Sequence, residues 1–134
     1  MFKNINMYNS DWYNNLTKPF LAPPNEIFAP VWMVLYILIF TALVFYFLKK
    51  TENKESGYLF FGIQLFLNII WSPIFFMAKN IAGAFFVIIL LDIFVVLTLI
   101  KFYSVKKIAG ILLVPYLIWI LFATYLNGGY LFLN

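Results

Sequence analysis

The chain has 134 residues, of which 65% are hydrophobic and 10% charged, against about 45–50% and about 25% in an average soluble domain; a soluble fold of this size cannot hide so much apolar surface from water. It contains no cysteine and no histidine, which excludes disulfides, thiolate chemistry, ordinary zinc sites, haem ligation through His or Cys, and His-based proton transfer. No metal site and no cofactor is expected. The net charge of +4 comes from nine lysines, without arginine, against five acidic residues, and the lysines fall mostly between apolar stretches, as topology determinants do and nucleic-acid footprints do not.

Met1 to Ser10 is largely polar and lacks the apolar core and cleavage site of a secretory signal peptide. Residues 11–26 read as an amphipathic loop stiffened by Pro19, Pro23 and Pro24, with Trp12, Tyr13 and Phe20 suited to the membrane interface. Four apolar stretches follow. The first, 27–48, ends at Lys49–Lys50, and the second, 57–77, stops at Lys79–Asn80. The third, 81–100, closes at Lys101 and Lys106–Lys107; the fourth, 108–125, frays at Asn127-Gly128-Gly129 before a short apolar tail. Each is close to the roughly 20 residues that cross a ~30 Å hydrocarbon core at about 1.5 Å per residue. Stretches this long and unbroken exceed strand length, and barrel strands would alternate polar with apolar residues. The predicted fold is a single-domain, all-α integral membrane bundle of four spans. Lysines 49, 50, 54, 101, 106 and 107 in the first and third joints, against 3, 18 and 79 elsewhere, place those joints in the cytoplasm and both termini outside.

Polar groups inside spans are costly, so each one needs a reason. Asp92 is the one carboxylate well inside a span; it reads either as an interhelical hydrogen-bond partner or as part of a ligand or proton site. Gln64 and Asn68 are one helical turn apart, and Trp71 and Phe75 continue the stripe, which serves equally as helix–helix glue or as a binding wall. Trp32 and Tyr36 form a similar pair on the first span, where interfacial anchoring is the plain alternative. Trp119 and Ala123 form another on the fourth, with Leu126 and Asn127 one turn beyond; the deeper Trp119 indole N–H needs a partner. Pro73 and Pro115 interrupt backbone hydrogen bonding within spans, which commonly opens cavities. Three helices with aromatic stripes and few polar points suit a flat, largely apolar ligand better than an ion path.

These residues also carry a family resemblance. Trp12-x-x-x-Leu16-x-Lys18-Pro19, Pro23-Pro24 and Pro30-Val31-Trp32 resemble the loop and second-helix entry of the TspO/translocator-protein (TspO/MBR) family. Gln64-x-x-x-Asn68-x-x-Trp71-Ser72-Pro73-x-Phe75-Phe76 is similar to its third helix. Asp92 falls where its fourth helix carries an aspartate, and Pro115-Tyr116-x-x-Trp119-x-x-Phe122-Ala123-Thr124-Tyr125-Leu126-Asn127 is similar to its fifth. The resemblance implies a bundle of five helices with a pocket closed by the loop between the first two. Here only Met1 to Asp11 precede the Trp12 motif, so the first helix is lacking. That fits an N-terminally incomplete copy, or a four-helix variant in which a partner or a second copy, as in a homodimer, fills the gap.

By resemblance, the chain is expected to be a receptor or binding protein for porphyrin-type tetrapyrroles and similar flat hydrophobic molecules in a bacterial cell membrane, acting in tetrapyrrole handling or stress signalling. Its partners would be the ligand and lipid, not nucleic acid. Trp32, Asn68, Trp71, Asp92, Trp119, Ala123, Leu126 and Asn127 fall at or near the family's pocket positions. The resemblance also admits a light-dependent porphyrin-degrading enzyme, with Trp32 and Trp119 as redox partners, or a small-molecule transporter. No basic residue follows Tyr125 or Tyr130, so the sterol motif of the animal proteins is not expected to operate.

Overall fold

Inside hydrocarbon no water is available to backbone amides, so an apolar stretch long enough to cross must close its hydrogen bonds within itself as a helix. The chain does this four times. The computed structural model describes residues 11–20 and 27–134. A single turn, α1 (Asp11–Asn14), precedes the first span, α2 (Phe28–Leu48). The second span is α3 (Glu55–Ser72), continued by a π-helical turn (Pro73–Met77). The third is α4 (Ile81–Val105), and the fourth is built from α5 (Lys107–Leu112) and α6 (Val114–Leu133). All four spans are long and apolar enough to cross a membrane, and no strand occurs among the described residues. The protein is a multi-pass, all-α integral membrane bundle, as the sequence predicts. The expected stiffening by Pro23 and Pro24 lies outside the described residues.

The helices run further than the hydropathy pattern implies. The third span continues through Lys101, whose ammonium can reach outward along its own stem, and within it Thr98 and Ser104 donate to the carbonyls of Phe94 and Lys101, both at 2.6 Å. The fourth does not fray at Gly128–Gly129. Those glycines admit neighbours: a Cβ at Gly129 would lie 2.5 Å from Pro19 Cβ, and one at Gly128 would lie 3.0 Å from the Phe85 ring. Small residues in membrane helices serve such close approach.

Pro73 cannot donate to the turn before it, and the ladder there widens by one residue, with the Ala78 N–H reaching the Pro73 carbonyl at 2.9 Å. This turn buries two consecutive side chains, Phe75 and Phe76. Lys79 then takes a left-handed conformation, φ 55°, and Asn80 caps the next helix by accepting from the Gly83 N–H at 2.9 Å. A sharp corner is thus encoded in the eight residues from Pro73 to Asn80.

The third span is central. It packs along the second span and along both pieces of the fourth, whereas the first span rests mainly on α5. The first and second spans meet through Tyr36 with Asn68, Phe40 with Phe61, whose rings are 6.1 Å apart, and Tyr46 with Tyr58, at 5.2 Å. At the lysine-rich end Tyr46 stacks on Phe102, centroids 4.1 Å apart, and donates to the Lys54 carbonyl at 2.8 Å. The α4–α5 corner is tighter still: a Cβ at Gly110 would lie 2.4 Å from Tyr103 Cβ and 2.7 Å from its Cα.

That corner makes the two kinds of glycine separable. Gly110→Ala drives a methyl into backbone and should destabilise the folded protein by about 1–3 kcal/mol, whereas Gly62, with nothing within 4 Å of a built Cβ, should accept alanine without loss. Thermal denaturation in detergent reads both, and equal midpoints for the two variants would contradict the close packing at the corner.

Candidate functional site

The stripe on the second span divides into two tiers. In the lower tier the hydrogen bonds run in one direction: the Tyr36 hydroxyl donates to Asn68 Oδ1, Asn68 Nδ2 donates to the Tyr116 hydroxyl at 2.8 Å, and Tyr116 donates to Gln64 Oε1 at 2.7 Å. Three spans are stitched by one polar chain. Gln64, Asn68 and Tyr116 are buried. Asp92 stands apart from this chain; its carboxylate accepts from the Thr124 hydroxyl at 2.7 Å and so joins the third and fourth spans.

The upper tier is aromatic. The Trp71 indole donates to Asn127 Oδ1 at 2.9 Å, and Asn127 Nδ2 donates to the Ile81 carbonyl at 3.1 Å. This places Trp71 against Phe75, ring centroids 5.5 Å apart. From the other side Trp32 meets Trp119 edge to face, at 6.4 Å and 89°, while Phe28 meets Trp119 at 6.1 Å. Together these rings line a cavity completed by Ala123, Leu126 and Asn127. Its free space is about 20 Å³, room for about one water. The Trp119 indole N–H is buried without a hydrogen-bond partner among the described residues.

The loop closes this cavity. Tyr13, which the sequence suggests as an interfacial anchor, is instead buried, wedged beside Phe76 at 5.2 Å and Tyr130 at 5.4 Å. Tyr130 donates to the Tyr13 hydroxyl at 2.9 Å. Further along, Asn134 clasps the Thr17 backbone from both sides, accepting at 2.9 Å and donating at 3.0 Å, and Tyr125 donates to the Phe20 carbonyl at 2.5 Å. Phe20 itself remains 81% exposed.

Of the residues singled out in the sequence, Trp32, Trp71, Phe75, Trp119, Ala123, Leu126 and Asn127 line the cavity together. Tyr36, Gln64 and Asn68 lie in the polar tier and Asp92 on Thr124. Tyr13, Phe28, Phe76 and Tyr130 also line it, and the sequence reading does not count them among the site residues. Phe28 precedes Trp32 by four residues, and Tyr130 follows Leu126 by four, so helical spacing points to both. Tyr13 in the loop and Phe76 in the π-helical turn carry no such signal.

Removing one hydroxyl tests the closure. Tyr130→Phe keeps the ring and deletes the bond to Tyr13, a loss of about 1 kcal/mol. Amide exchange at Leu16, whose N–H is held by the Tyr13 carbonyl at 3.1 Å, should quicken while α4 stays protected; unchanged exchange at Leu16 would show that this bond does not hold the loop down.

The TspO/MBR family profile matches residues 2–133. The chain is 44% identical to tryptophan-rich protein TspO of Chlorobaculum tepidum, over 92% of this chain and 79% of that protein. It is 37% identical to the tryptophan-rich sensory protein of Cereibacter sphaeroides, over 92% and 77%, and 34% identical to the human translocator protein, over 87% and 70%. With the four apolar spans, the loop-closed aromatic cavity and a match along nearly its whole length, the chain belongs to the TspO/MBR family.

Proposed function

We propose that the protein binds porphyrin-type tetrapyrroles and similar flat, apolar molecules in the cavity under the loop. The observation that carries this reading is the convergence of three indoles, Trp32, Trp71 and Trp119, from three different spans on one closed apolar space. A planar π ligand gains area burial and stacking there. One polar contact remains on offer, the Trp119 N–H; Asn127 is occupied on both sides of its amide. With no histidine or cysteine in the chain, the protein offers no strong axial ligand of either kind to a metal, so metal-free porphyrin binds at least as well as haem.

The cavity is far smaller than a drug-sized site of about 300–1,000 Å³, so binding requires the loop to lift and the rings to part. Tyr13 is the natural moving part, because it closes the space from a short turn rather than from a span.

The test is a fluorescence-quenching titration of the detergent-purified chain with protoporphyrin IX. Saturable quenching is expected. Ala123→Phe, which fills the cavity from its buried wall, should weaken it by about tenfold or more, while Ile118→Phe on the exposed face of the same helix should not. Non-saturating quenching that is identical in all three proteins means partition into detergent and rejects the site.

A further inference from the structure

The rings inside the cavity select by shape, but its mouth carries polar groups as well. Two hydroxyls stand among the lining side chains, those of Tyr13 and Tyr130. They are 2.9 Å apart, with Tyr130 donating, and both residues are buried. When Tyr13 lifts to admit a ligand, the Tyr130 hydroxyl loses this acceptor, and a buried donor left without one opposes the opening. A ligand that brings its own acceptor to that point removes the penalty.

A cation stands at the same place. Lys18 is exposed, and its ammonium lies 5.7 Å from the centre of the Tyr13 ring. Tyr13 therefore touches both the closed space and the charge. The lysine does not depend on Tyr13 for its position. Thr17 before it is clasped by Asn134, and Pro19 after it is buried against Gly129, where a Cβ would lie 2.5 Å away. The short turn that carries Tyr13 can thus swing while Lys18 stays. An ammonium and a phenol, both adjoining the volume that the Tyr13 ring vacates, are the donors that a carboxylate accepts from.

We propose that the mouth of the cavity is a carboxylate subsite, in which Lys18 and Tyr130 select flat apolar ligands with an acid group at one edge over neutral ligands of the same shape. The subsite rests on the binding reading given under the proposed function and adds to it the chemical class of the ligand's edge. The apolar body lies among Trp32, Trp71 and Trp119, and the acid stays at the loop, where its charge is not carried into hydrocarbon.

Quenching titrations of the whole detergent-purified chain with protoporphyrin IX and with its dimethyl ester test this. The two share one ring system and differ in charge at one edge, so the ratio of their apparent affinities isolates that edge. The acid should bind about tenfold more tightly. Lys18→Gln and Tyr130→Phe should each bring the ratio towards one, and Lys18→Arg should keep it. A loosened loop changes the cost of opening for both ligands alike, and partition into micelles is the same for every variant, so neither effect moves the ratio between proteins. Lys79→Gln, at the corner between the second and third spans, should leave it at the wild-type value. Saturable binding with equal affinity for acid and ester overturns the subsite and leaves the cavity reading standing. So does a preference for the acid that survives both Lys18→Gln and Tyr130→Phe. An equal fall in Lys18→Gln and Lys79→Gln assigns the preference to the general charge of that membrane face, and also overturns the subsite. Non-saturating quenching by both porphyrins rejects the cavity and the subsite with it.

Discussion

In hydrocarbon a polar side chain without a partner costs far more than it does at a protein surface, and helices surrounded by lipid gain no hydrophobic drive to associate. The chain of bonds from Tyr36 through Asn68 and Tyr116 to Gln64 meets both conditions at once. Each bond joins different spans and gives every oxygen in the chain a hydrogen-bond partner, while Gln64 Nε2 is left buried without a partner among the described residues. Rotating α3 by one residue, about 100°, would point Gln64 and Asn68 at lipid, so the network fixes the rotational phase of the second span. The first and fourth spans are registered against it through Tyr36 and Tyr116.

The cavity follows from that phase. With Asn68 turned inward, Trp71 and Phe75 come inward above it, and Trp71 is then tied to Asn127 and through it to the start of the third span. The π-helical turn at Pro73 adds Phe76 to the same wall. Asn68, which the sequence offers equally as helix–helix glue or as part of a binding wall, is held between Tyr36 and Tyr116, and the cavity surface is mostly ring. Its lid is secured on the far side by the last turns of α6, which is why that helix runs on to Leu133: Tyr130, Gly129 and Asn134 are the dock for the loop.

The four spans, their order and most of the cavity wall are legible in the sequence because helical spacing and hydropathy are local signals. The stripe of Gln64, Asn68, Trp71 and Phe75 is a good example. Spacing puts them on one face, but it does not tell that the amides would be consumed by Tyr36 and Tyr116 while the rings remained for the cavity. That division depends on partners distant in sequence. The end of the fourth span is misjudged for a related reason, since Gly128–Gly129 breaks a helix in water yet accommodates Pro19 and Phe85 here. Tyr13 is invisible as a plug because its burial depends on where the loop lies, and an aromatic beside Trp12 looks like any interfacial residue.

A closed aromatic cavity also shapes what binding to it can be like. Ring pairs such as Trp32–Trp119 and Tyr13–Phe76 already stabilise the closed form, each by about 0.5–1.5 kcal/mol beyond the area it buries. In the proposed reading a flat ligand replaces those contacts with its own, so its affinity is the difference between two similar sums, less the cost of raising the loop. Selectivity then rests on planarity and size rather than on hydrogen bonds, because the cavity offers an incoming molecule little beyond the Trp119 N–H. In that reading the site would accept a class of flat molecules rather than one of them, and loop position, more than any single contact, would register whether the space is filled. The loop's attachment to Tyr130, Asn134 and Tyr125 would then set how much binding energy is spent in raising it.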